Sequence, residues 1–147
     1  MNETDNFVLV TFNGLAKMTK ENKEIILGNI NNLYTSGNTD ILLGLKFELS
    51  LLNQNYSSGD RVASMILLSD GEEYCNPYGM VDDLFKELLE TENKTDYVFT
   101  LNSFGFGNYH DYILMNDFAL IKPGAYYFYI EILKQVEEAY GTIYGIL

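Results

Sequence analysis

Tryptophan is absent from this chain of 147 residues, and cysteine, histidine and proline are scarce, at one, one and two. With Cys75 alone no internal disulfide can form, and such usage favours a reducing compartment. No apolar stretch approaches the roughly 18 residues of a membrane span. The start, MNETDNFVLV, has no basic region, so no signal peptide is expected, and the expected location is cytoplasmic or otherwise intracellular. Basic residues are few as well. Nine Lys and Arg stand against 21 Asp and Glu, for a net charge of −12 and a pI near 4.2. Binding to phosphate backbones or anionic lipid needs clustered Lys and Arg, so neither nucleic acid nor membrane is an expected partner. A cation or a basic protein suits this field better.

What is present points to a single globular domain. Hydrophobic residues make up 47% of the chain, and Tyr (12) and Phe (9) supply the aromatic mass. The length suits one domain with a sizeable core.

FVLVTF, from Phe7 to Phe12, is β-branched and aromatic and reads as a strand. Asn13-Gly14 follows as a hairpin turn, and LAKM is the expected return strand at a sheet edge. Thr19 is placed to cap a helix from Lys20 to about Tyr34 that buries Ile25, Ile26, Ile30 and Leu33. After a Ser-Gly-Asn-Thr-Asp loop, a second helix carries Ile41, Leu45, Leu49 and Leu52 on one stripe, with Thr39 as its expected N-cap. Val62 to Leu68 is a continuous apolar run, the pattern of a strand covered on both faces. A helix from about Met80 to Glu90 would face Val81, Leu84, Phe85 and Leu88 inward. A strand from Tyr97 to Phe104 closes at Gly105-Phe106-Gly107, and His110-Asp111 opens a helix through Leu120, with Asp111 as its cap. Ala125 to Ile130 is the last strand, its aromatic run expected in the core, and Leu133 to about Tyr144 the last helix.

Alternating strands and helices after residue 60 imply parallel strands with crossover helices. With FVLVTF pointing up, the loop before the second helix and the ends of the later strands meet on one upper rim. Thr39, Asp40, Asp70 and Glu72 then share the face where open α/β sheets bind ligands. Taken alone, Asp70 in LLSDGE is equally a strand-terminating Asp-Gly turn. His110, a lone histidine without a nucleophile beside it, reads as structural, and Gly105-Phe106-Gly107 lacks the Lys and Ser/Thr of a phosphate loop.

VTFN, SGNTDILLGL, SMILLSDGEE, SFGFGNYHDYILM and GAYYFYIE, in this order and spacing, resemble the von Willebrand factor type A (vWA) domain, and in particular its intracellular eukaryotic branch. The resemblance runs from about Phe7 to Gly145. It implies a doubly wound, mostly parallel α/β sheet with helices on both faces, Rossmann-like, and a metal-ion-dependent adhesion site on the upper rim. There an Asp-x-Ser-x-Ser motif, a threonine and an aspartate hold a divalent cation, usually Mg²⁺. Thr39 matches the threonine and Asp70 the aspartate, with Asn13, Asn38, Asp40, Glu72 and Glu73 on the partner-binding rim around them.

No Asp-x-Ser-x-Ser occurs in this chain. FVLVTF corresponds to the family's second strand, so residues 1–147 are expected to form one N-terminally incomplete domain whose central first strand is missing. That strand lies between those matched by FVLVTF and MILL. Its loss leaves the chain as a piece of a longer protein, or has the strand supplied by another chain, or lets the flanking strands pair directly. With only two family ligands present, Mg²⁺ binding is expected to be weak or absent. The resemblance implies a non-catalytic protein-protein interaction module that meets a partner's carboxylate at the rim, in a branch that often accompanies ubiquitin-ligase modules. The alternatives are a metal-dependent hydrolase or phosphatase using Asp70, and a metal-free, strand-sharing homo-oligomer joined through exposed sheet edges.

Overall fold

The computed structural model describes residues 8–12, 16–19, 23–34, 37–55, 62–70, 79–95 and 98–145. Two short strands, β1 (Leu9–Phe12) and β2 (Ala16–Thr19), pair antiparallel from Leu9↔Thr19 to Phe12↔Ala16. The Asn13-Gly14 turn expected between them lies outside the described residues. Thr19, expected as a helix cap, is instead the last residue of β2, opposite Leu9.

Helix α1 runs from Lys23 to Asn31 and stops short of the expected end near Tyr34; the expected start at Lys20 lies outside the described residues. It ends in tight turns from Asn32 to Asn29 and Leu33 to Ile30, and the Asn32 amide donates to the Gly28 carbonyl at 2.9 Å. Ile30 and Leu33, expected to be buried, are 41% and 54% exposed. Spacing marks a helix's apolar face but does not guarantee that anything covers it.

A three-stranded parallel sheet follows, in the order β3 (Val62–Ser69), β4 (Val98–Phe106), β5 (Tyr127–Ile130). Strands β3 and β4 align from Val62↔Val98 to Ser69↔Gly105, and β5 joins further along, from Ser103↔Tyr127 to Phe106↔Ile130. The other helices are α2 (Ile41–Asn55), α3 (Met80–Thr95), α4 (Tyr112–Leu120) and α5 (Leu133–Tyr144). The fold is thus α/β, with a small open parallel sheet.

Alternation along the strands sends side chains to two faces. On one, Met65, Leu67 and Leu101 meet Ile41, Leu45 and Leu49 of α2, Leu84 and Leu88 of α3, and Leu114, Met115 and Phe118 of α4. An ion pair, Lys46 to Glu87 at 2.8 Å, joins α2 to α3 at its margin. On the other face, Phe104 and Ile130 meet Ala139 of α5, with the rings of Phe128 and Tyr140 tilted against Phe104 at centroid distances of 5.1 and 5.2 Å.

Several expectations about burial are corrected. Phe85 on α3 is 40% exposed rather than inward, because the buried stripe passes through Leu84 and Leu88 instead. Strand β3 is covered only in part on its second face: Ile66 packs against the cluster under α5, while Ser64 is exposed and Leu68 is 46% exposed. In the aromatic run, Tyr126 and Tyr129 are exposed, while Phe128 packs against Phe104.

Strand β1 does not join the larger sheet. Among the described residues it pairs only with β2, so direct closure of β1 onto β3 is not what this chain does. Phe12 is instead drawn to α2, where a methyl group built on Gly44 would come within 2.6 Å of its ring. Gly44 is therefore the notch that lets the hairpin dock. Among the described residues, no helix is long and apolar enough to cross a membrane.

Candidate functional site at the carboxyl edge of the sheet

Because β3, β4 and β5 are parallel, their carboxyl ends open on one rim. Asp70 directly follows the last residue of β3 and is exposed. Strand β4 hands over at Gly107, which has a left-handed φ of 75°, to a turn that ends on His110 and Asp111.

The Asp111 carboxylate accepts from the Leu114 amide at 3.0 Å and caps α4, as expected. The cap of α2 is Asp40 rather than Thr39. The Asp40 Oδ1 accepts from the Leu43 amide at 2.8 Å, and its carbonyl accepts from Gly44 at 3.3 Å. Since α2 begins at Ile41, the residue just before it is the one whose side chain reaches the orphan amide three residues further on, in the first turn. Thr39 stands beside it, partly buried, and Asn38 is exposed. Asn13, Glu72, Glu73 and Cys75 lie outside the described residues.

His110 is buried, at 7% exposure, between the β4 turn and β5. Its Nδ1 lies 2.6 Å from the Gly107 carbonyl and its Nε2 2.5 Å from the Tyr127 hydroxyl. A carbonyl only accepts, so Nδ1 carries the hydrogen, and Nε2 shares a hydrogen bond with the Tyr127 hydroxyl. The Tyr129 ring stacks on the imidazole at 5.5 Å, and its hydroxyl donates to Asn108. Burial, and then the neighbouring Tyr129, hold the Tyr127 phenol above its usual value. Desolvation, followed by the charge of Glu131 and a hydrogen bond with it, raises that of Tyr129. Both rings stay protonated donors near neutrality. With both imidazole nitrogens engaged, His110 has no lone pair or proton free for a substrate, and its role here is to pin the turn to β5.

Glu48, on α2 one turn after Gly44, received no attention from sequence spacing. Burial pushes its carboxyl up to about 7. No motif marks such a residue; only packing reveals it. The Tyr127 partner of His110 was equally invisible, because the two positions lie 17 residues apart.

Among the described residues, no three His, Cys, Asp or Glu side chains cluster as a metal would require. The oxygen donors in hand are the Asp70 carboxylate and the Thr39 hydroxyl, since the Asp40 carboxylate is held by the cap. Mg²⁺ takes about six oxygens in octahedral geometry. No family model matches the chain, and no curated protein matches it.

Proposed function

We propose that the chain is a non-catalytic interaction module of the vWA type, with a doubly wound sheet whose carboxyl rim meets a protein partner inside the cell. The observation that carries this reading is Asp70, exposed at the carboxyl end of a strand in an open parallel sheet. It stands on the edge where such sheets bind ligands. The five segments of resemblance support it, and so does the engagement of both His110 nitrogens in contacts within the fold. Asp70, Thr39 and Asn38 are the rim residues assigned to the partner, with recognition routed through hydrogen bonds and charge rather than through a bound ion.

Calorimetric titration of Mg²⁺ and Mn²⁺ into wild type and Asp70→Ala separates the arms. Heat from wild type that Asp70→Ala abolishes would restore a metal-dependent adhesion site. Absence of heat from both is the expected result. Turnover of a phosphate ester lost in Asp70→Ala would overturn the non-catalytic reading.

A second reading, the metal-free strand-sharing oligomer, is favoured by one feature. Among the described residues β3 is the outer strand of its sheet, and it carries no charge, proline or glycine along VASMILLS. Natural edge strands normally carry such protection against pairing. Light scattering on the size-fractionated chain decides this reading: a monomer at all concentrations would remove it.

A further inference from the structure

Strand β5 is the other outer strand of the sheet, and its backbone divides by alternation. The carbonyls of Tyr126 and Ile130 accept from the Ser103 and Gly107 amides at 3.0 Å each. Even-numbered residues therefore bond toward β4, and Tyr127 and Tyr129 turn their N–H and C=O groups outward. Among the described residues no backbone group meets them.

Helix α5 runs beside this edge. Its inner residues, Val136, Tyr140 and Ile143, pack under the sheet. Its flank, Glu138, Ala139 and Thr142, forms with Phe128, Tyr129 and Ile130 an open groove of about 410 Å³. The floor is apolar, since Ile130 and Ala139 are buried. One end is closed by Gln135, whose side-chain oxygen accepts from the Glu131 and Ile132 amides at 2.7 and 3.0 Å. The wall carries the exposed carboxylate of Glu138.

We propose that this groove docks an extended, basic segment of a partner protein, added to β5 as a fourth strand of the parallel sheet. An edge strand flanked by a helix meets the two needs of strand addition: unpaired backbone groups for affinity and a groove for alternate side chains. Tyr127 and Tyr129 offer two donors and two acceptors. Every second side chain of the added strand falls into the groove beside Glu138 and Thr142. Charge selects the partner. Glu138 in the wall and a net charge of −12 attract Lys and Arg and repel acidic segments, with Lys134 the one cation in the first turn of α5. The site is separate from Asp70 and Thr39, and it stands whatever the metal titration shows.

The probe is a fluorescein-labelled octapeptide of alternating lysine and valine, compared with the same peptide N-methylated at every second amide. N-methylation blocks strand pairing and leaves the charge intact. By anisotropy on the full chain, the plain peptide should bind wild type, and the methylated one at least about tenfold more weakly. Glu138→Lys, an exposed position whose folding is checked by circular dichroism, should weaken the plain peptide by about tenfold. Equal binding of the two peptides would overturn the proposal, because it would reduce the attraction to the acidic surface alone. So would indifference to Glu138→Lys, or no binding up to millimolar peptide. A concentration-dependent dimer that Glu138→Lys dissociates would likewise overturn it, by giving the edge to a second copy.

Discussion

The two faces of the parallel sheet are covered very differently. Three helices close one face, and the side chains that fill it come from every element between α2 and α4. A single helix, α5, closes the other, where Phe104, Ile130 and Ala139 are the buried core and the back of β3 is left open at Ser64 and Leu68. The same strands build both faces, so strand composition does not explain the difference. Coverage does: an apolar side chain stabilises the fold only by the water it loses.

The comparison is broken most directly on the crowded face. Phe118 of α4 is fully buried there. Phe118→Ala should cost about 3 to 5 kcal/mol through lost burial and the cavity left behind, read as a fall in the urea midpoint. A loss under about 1 kcal/mol would mean that this face is loosely packed after all.

The same side of the molecule contains a cost. Glu48 has its carboxyl raised from 4.5 to about 7 by burial. Below about pH 4.5 both folded and unfolded chains hold this proton, and the group is neutral to stability. As pH rises toward 7 the unfolded chain releases it first, and stability falls; above 7 the loss is complete. The full linkage value is about 3 kcal/mol, reduced to about 1 to 2 because the side chain keeps some contact with water. Glu48→Gln should therefore raise the melting temperature at about pH 8 and leave it unchanged at about pH 4. Equal effects at both values would assign the change to packing instead of charge.

The smallest effect belongs to the bare face. Leu68→Ser should change stability by no more than about 0.5 kcal/mol, because nearly half of the leucine already meets water. A larger loss measured in urea would show that something covers this face in solution.

Period was the legible part of this fold. The continuous run of β3, the stripe of α2 and the last helix all emerged as read, because hydrophobic spacing reports element type directly. Coverage was not legible. Phe85, Ile30, Leu33 and Leu68 each belong to a well-patterned segment and are still exposed, since a pattern marks a face without naming its neighbour. The hairpin shows the same limit at larger scale. Its pairing could be read from turn chemistry, but its place could not, because docking depended on a notch at Gly44 that only tertiary contact reveals. At the rim, Thr39 and Asp40 are both good capping residues, and a single-residue shift in the helix start decided between them. Asp111 had no such competitor and was read correctly.

The turn after β4 carries a consequence for how this sequence can change. A methyl group built on Gly105 would come within 2.4 Å of the His110 ring, so the imidazole occupies the volume that any side chain at 105 would need. That glycine is required by a neighbour's bulk and not by a backbone angle. Positions 105 and 110 therefore form one compound choice: enlarging the first is tolerated only when the second shrinks, and a lineage that alters either must cross a poorly packed intermediate before the other follows.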